Sequence, residues 1–123
     1  MELNELIMWY KSVLKKYTVF TGRARRKEFW TFALVNFVIS VALGILSLIP
    51  LIGLLFMALS FIYPLAVLVP SIAVCVRRLH DTNRSGILVL LGLIPLIGAI
   101  ILIVWAVEEG TAGDNQYGSN PKA

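Results

Sequence analysis

Charged residues are scarce in this chain: 15% of its 123 residues, against 59% that are hydrophobic. An ordinary soluble domain carries about 25% charged and about 45–50% apolar residues. Intrinsic disorder is excluded, because it needs low hydrophobicity and high net charge. A soluble globule is disfavoured, because one this small keeps too much surface in water to hide such a composition. The length allows one domain, 1–123. Cysteine is nearly absent, and a lone Cys75 rules out an intrachain disulfide. Histidine is limited to His80, and no Cys/His ligand spacing marks a metal site. No phosphate-binding glycine loop, nucleophile elbow or zinc-protease pattern occurs. Neither a cofactor nor an enzymatic reaction is expected.

The missing charges are missing in runs. None occurs between Glu28 and Arg77. As helix that stretch would be about 70 Å long, whereas the hydrocarbon core is about 30 Å thick and takes about 20 residues per crossing. Two spans fit, at 30–49 and 54–76, with a turn at Ile49-Pro50-Leu51-Ile52-Gly53. A second uncharged run, 85–107, is long enough for a third span, kinked at Pro95. The competing reading is a helical hairpin bent at Pro95, with arms too short to cross. Leu48-Ile49-Pro50-Leu51-Ile52-Gly53 recurs as Leu93-Ile94-Pro95-Leu96-Ile97-Gly98. Such an echo suits an internal repeat, although Leu, Ile, Pro and Gly dominate apolar segments anyway.

The charges that are present crowd together. Lys11, Lys15, Lys16, Arg23, Arg25, Arg26 and Lys27 precede the first span, and Arg77, Arg78 and Arg84 follow the second. The tail, 108–123, carries Glu108, Glu109, Asp114 and Lys122. The positive-inside rule places the N-terminus and the Arg77–Arg84 loop in the cytoplasm and, with three spans, the tail outside. Leu3, Leu6, Ile7, Tyr10, Val13, Leu14 and Tyr17 recur at helical spacing, opposite Glu5, Ser12, Lys15 and Lys16. Residues 2–19 therefore read as an amphipathic helix lying in the membrane interface, rather than a cleavable signal. Packing on a partner protein is its alternative.

Two polar segments hold the candidate site. Phe20-Thr21-Gly22-Arg23-Ala24-Arg25-Arg26-Lys27-Glu28-Phe29-Trp30 leads into the first span. Arg77-Arg78-Leu79-His80-Asp81-Thr82-Asn83-Arg84-Ser85-Gly86 follows the second. Both fall on one predicted side and can meet as a single cationic surface of Arg23, Arg25, Arg26, Arg77, Arg78 and Arg84. Glu28 and Asp81 are then natural counter-charges. Asp81 and His80 would set the loop geometry, and Asp81, Thr82, Asn83 or Ser85 would cap the next helix. The arginines suit phosphate or carboxylate groups. Anionic headgroups attract such clusters, so the bilayer accounts for the basicity without nucleic acid. Charge reversal at Arg25 or Arg78 is expected to lower folding yield or invert the topology. Asn36, an amide inside the first span, needs an interhelical hydrogen bond.

These segments, with Asn36 and a third pattern of Gly110-Thr111, Gly113, Asn115, Tyr117-Gly118 and Asn120-Pro121, resemble the YhaH-like family of small bacterial inner-membrane proteins, catalogued as domain of unknown function 805. The resemblance covers essentially the whole chain. One departure is Ile87-Leu88, where the family is often tryptophan-rich. It implies a multi-helix protein of the bacterial inner membrane and an ordered rather than frayed tail. It implies no activity. The expectation is therefore an all-α integral membrane protein, with an N-terminal amphipathic interfacial helix and three transmembrane helices. Its role would be a non-enzymatic module binding anionic lipid headgroups or a partner protein through the arginine surface. A component of an oligomeric small-solute transporter or channel is the alternative, and it requires homo-oligomers to supply a polar pathway.

Overall fold

The computed structural model describes residues 2–119 and 121. Asn120 of the third sequence pattern, and Lys122, lie outside the described residues. The described residues form five α-helices, α1 (Leu3–Lys15), α2 (Arg26–Leu46), α3 (Gly53–Ala66), α4 (Leu68–Asp81) and α5 (Ile97–Val107), with a 3₁₀ helix, Gly86–Leu93, before α5.

α2 is long and apolar enough to cross a bilayer. It begins at Arg26, four residues before the expected start, because Glu28 lies inside the fold and adds an acidic group to the first turn. α3 and α4 pass the same test only as a pair bent by 40°. The expected second span is thus one path broken at Val67, between its two prolines. Pro64 removes one hydrogen bond inside α3, and Pro70 sits in the first turn of α4, where its missing N–H leaves no gap. α4 also runs past the expected end of the span through Asp81. Half of the expected polar loop is therefore helix. It ends in a Schellman arrangement, with Arg84 N–H on the Leu79 carbonyl, Asn83 N–H on the His80 carbonyl, and Asn83 at φ 60°.

The expected single span 85–107 is instead a hairpin. Arg84, just before it, pairs with Glu108, just after it, at 2.9 Å. Both ends therefore lie together. Its arms, about 16 Å each, are too short to cross. The chain reverses at Leu96, whose φ of 63° and ψ of −63° describe a γ-turn closed by the Ile97 N–H on the Pro95 carbonyl at 2.7 Å. The same turn joins α2 to α3. There Leu51 has φ 69°, and the Ile52 N–H meets the Pro50 carbonyl at 2.9 Å. Gly53 and Gly98 close the two turns through N–H bonds to the carbonyls of Ile49 and Ile94. A Cβ at either glycine would overlap backbone, Ser47 in the first turn and Leu91 in the second. The six-residue echo is thus one turn used twice.

The molecule is turned inside out. The largest fully buried side chains include Arg77, Arg78 and Asp81, while Leu51 is 87% exposed and Leu96 73%. Phe37, Phe61 and Leu65 also face outward. Water would expel that exterior, and lipid would not. A small apolar cluster of Val13, Ala24, Phe32, Val67 and Val74 underlies the charged end. Half of α1's apolar stripe completes this cluster: Val13 is fully buried, and Tyr10 and Leu14 pack against it, whereas Leu3 and Ile7 stay exposed. That part of α1 covers its own chain rather than lipid or a partner. Lys27 pairs with Glu5, and Glu28 with Lys16 at 3.8 Å, so both ends of α1 are tied to the first turn of α2.

Candidate functional site: a buried arginine cluster

Three short stretches converge at the charged end: the strap before α2, the last turn of α4, and the segment after α5. Backbone bonds align them. The Ala24 N–H donates to the Arg77 carbonyl at 2.8 Å, and the Thr111 N–H to the Asp81 carbonyl at 2.7 Å.

Asp81 stands at the centre. Its Oδ1 accepts from Arg23 Nε at 2.9 Å, and its Oδ2 from Arg78 Nη1. All three side chains are nearly inaccessible. The guanidinium of Arg23 reaches on into the tail and donates to the carbonyls of Thr111 and Gly113, both at 2.7 Å, and of Gly118 at 3.3 Å. Arg78 donates to the carbonyls of Ala24, Ala106 and Glu108. The last two belong to the end of α5, where carbonyls lack helical partners and negative dipole charge gathers. Trp30 adds its indole N–H to the Ala106 carbonyl at 3.0 Å, and Arg26 donates to Val107 at 3.2 Å. A buried charge is tolerable when it is paired and hydrogen-bonded, and each of these is.

Arg77 belongs to a second pair. Its Nη1 grips both oxygens of Glu28, at 2.9 and 3.0 Å, and its Nε donates to the Val19 carbonyl. His80 donates from Nδ1 to the Gly22 carbonyl at 2.9 Å, since a carbonyl can only accept. Its ring lies flat on Tyr117, with centroids 4.0 Å apart, and the Asn115 amide donates to the His80 carbonyl. Gly110 passes so close to Asp81 that a Cβ would overlap the carboxylate. The tail through Gly118 is therefore an ordered cap, as the family resemblance implied. It stands at the same end as the strap before α2 and not at the opposite one.

The eight expected site residues thus come together but divide in role. Arg23, Arg77, Arg78, His80 and Asp81 are buried and bonded inside the fold. Arg25, Arg26 and Arg84 stay on the outside of the cluster. Arg26 is exposed, Arg25 lies over the ring of Trp9 with 5.7 Å to its centroid, and Arg84 lies over Trp105 at 4.7 Å. The sequence reading missed Tyr117, Asn115 and the tail carbonyls as partners. Their spacing was visible, but backbone acceptors leave no trace in residue type. Ser85, one of four expected caps, does cap the 3₁₀ helix through the Ile87 N–H. Asn36 accepts from the Tyr63 hydroxyl, which also meets Tyr10 at 2.6 Å, so the expected interhelical bond forms. Outside the spans, the Lys27 ammonium holds the Glu5 carboxyl below its usual range. Among the described residues no group of three or more His, Cys, Asp or Glu side chains could hold a metal ion.

Similarity to known proteins runs over nearly the whole chain. The chain is 47% identical over 116 residues to the inner membrane protein YhaI of Escherichia coli strain K12, covering 94% of this chain and 97% of that one. It is 47% identical over 118 residues to the inner membrane protein YhaH of the same strain, covering 93% and 96%. No solved structure matches it. The family model described as "Protein of unknown function (DUF805)" matches residues 17–119, from the strap through the tail cap, and the chain belongs to that family.

Proposed function

We propose that this chain is a multi-pass inner-membrane module that binds anionic lipid headgroups without catalysing a reaction. Its charged end, with both the N-terminus and the tail cap, faces the cytoplasm. The observation that carries the reading is the division of the cations. The buried arginines are held by Asp81, Glu28 and backbone carbonyls, which makes them the frame of the site and not its binding face. Lys11, Lys15, Lys16 and Arg26 are exposed, and Arg25, Lys27 and Arg84 half-buried, around that frame. A rim of cations at the boundary of an apolar exterior is where headgroup phosphates lie, and cytoplasmic loops carry such an excess. The relatives' inner-membrane names support the same placement.

Lipid selectivity tests this. Purified protein in nanodiscs of mixed phosphatidylglycerol and phosphatidylcholine should, on release into native mass spectrometry, retain phosphatidylglycerol preferentially. Each cation near an anionic surface contributes about 1 kcal/mol. Neutralising Lys15, Lys16 and Arg26 to Gln should therefore lower the preference by roughly 100-fold. Equal retention of the two lipids by the unaltered protein would refute the proposal.

A further inference from the structure

We infer that the crevice between α2, α4 and the 85–107 hairpin holds one acyl chain of an anionic phospholipid whose phosphate sits at Arg26. The inference rests on the membrane placement and headgroup reading above and names the lipid part they leave open. The crevice encloses about 350 Å³. Phe29, Ala33 and Asn36 of α2 line one wall, Ala99 and Ile103 of α5 another, and Cys75 of α4 the back.

Two helical stripes lead into it from the charged end. On α2, Arg26, Phe29, Ala33 and Asn36 follow one face at steps of three and four residues. On α5, Val107, Ile103 and Ala99 do the same. The stripes meet at the charged end, where Arg26 donates to the Val107 carbonyl at 3.2 Å. A cation thus stands at the mouth of an apolar slot, the arrangement of an anionic headgroup above its own chain. Depth agrees. From Arg26 to Asn36 is about 15 Å along the helix, half of a hydrocarbon core of about 30 Å, which is the length of one leaflet. The hairpin arms reach the same depth. Small residues at Ala33 and Ala99 leave the space that longer side chains would fill. Arg26 is exposed and its contact with Val107 lies at the surface, so a phosphate can share the guanidinium without breaking the buried cluster.

The test uses the full chain in nanodiscs of equal phosphatidylglycerol and phosphatidylcholine, with a mid-chain diazirine on one lipid at a time. Photolysis is followed by peptide mapping. The expected result is phosphatidylglycerol adducts at Ala33, Cys75 and Ala99 at least tenfold above those at the outward-facing Phe37, Phe61 and Leu65. Ala99→Phe should abolish that enrichment. Arg26→Gln, at an exposed position that leaves folding intact, should reduce it about fivefold. Adducts spread evenly over the exterior overturn the inference, yet leave the headgroup reading standing if phosphatidylglycerol is still preferred at the rim. Crevice enrichment equal for both lipids overturns the assignment of the phosphate to Arg26, and it overturns the headgroup reading too only if phosphatidylglycerol is also not preferred at the rim. Absence of crevice adducts together with a dimer mass assigns the crevice to a second copy and also overturns the inference.

Discussion

Arg78 and Arg25 look equivalent in the sequence, each one member of a dense basic stretch. In the fold they are opposites. Arg78 is 2% exposed and ties Asp81 to the strap and to the end of α5, whereas Arg25 rests over an indole ring at the edge. Removing one partner of a buried ion pair costs about 3–5 kcal/mol, because the other charge stays buried. A cation–π contact at an exposed site contributes about 0.5–1 kcal/mol. Arg78→Gln should therefore abolish the folded state or lower its detergent-solubilised melting temperature steeply, while Arg25→Gln shifts it little. Similar melting temperatures for the two variants would show that the cluster is not what holds the charged end together. That these arginines would gather was legible from their placement at span ends. That half of them turn inward was not, since charge spacing records sign and position but not which backbone carbonyls await them. Asp81 was the visible hint, as an isolated carboxylate among arginines.

At the scale of elements, the helices were legible where apolar runs are long and unbroken, and the turn at Pro50 followed from the length of the run together with its proline and glycine. The 85–107 hairpin was misread as a span because an average over an apolar window does not register a reversal. The repeated hexapeptide did carry the signal: two copies of one short sequence adopt one turn, and the first copy was already placed at a reversal. The turns depend on their glycines, and this gives a contrast of sign. Gly98→Ala places a Cβ against the Leu91 backbone, and Gly53→Ala against that of Ser47. Each should destabilise by about 1–3 kcal/mol, the usual range for overpacking. Gly44→Ala adds the same methyl within α2, where nothing lies within 4 Å. It should stabilise by up to about 1 kcal/mol through helix propensity. Thermal unfolding of the three variants in one detergent checks the pattern, and a loss at Gly44→Ala matching that at Gly98→Ala would discount the turn geometry.

At the scale of the molecule, the hairpin decides where the tail lies. Thr18, Arg84 and Ser119 belong to one end of the fold, and the Leu51 turn to the other. In a Cys75→Ala background, Thr18→Cys and Ser119→Cys should react with an impermeant maleimide from the same side of the membrane. Neither should react from the side on which Leu51→Cys is labelled. Labelling of Thr18→Cys and Ser119→Cys from opposite sides would restore a third crossing. The tail's attachment to Arg23 also fixes an order of events in the cell. A ribosome delivers Arg23 long before the carbonyls of Thr111, Gly113 and Gly118 that surround it. Until those residues emerge, a guanidinium and its neighbours must remain in water or among headgroups, and the charged end stays open. A segment synthesised later is what closes the earlier strap. Docking of this segment is therefore a late assembly step, and a nascent chain halted before residue 106 would hold Arg23 and Arg78 on Asp81 but without the carbonyls of Ala106, Glu108, Thr111, Gly113 and Gly118.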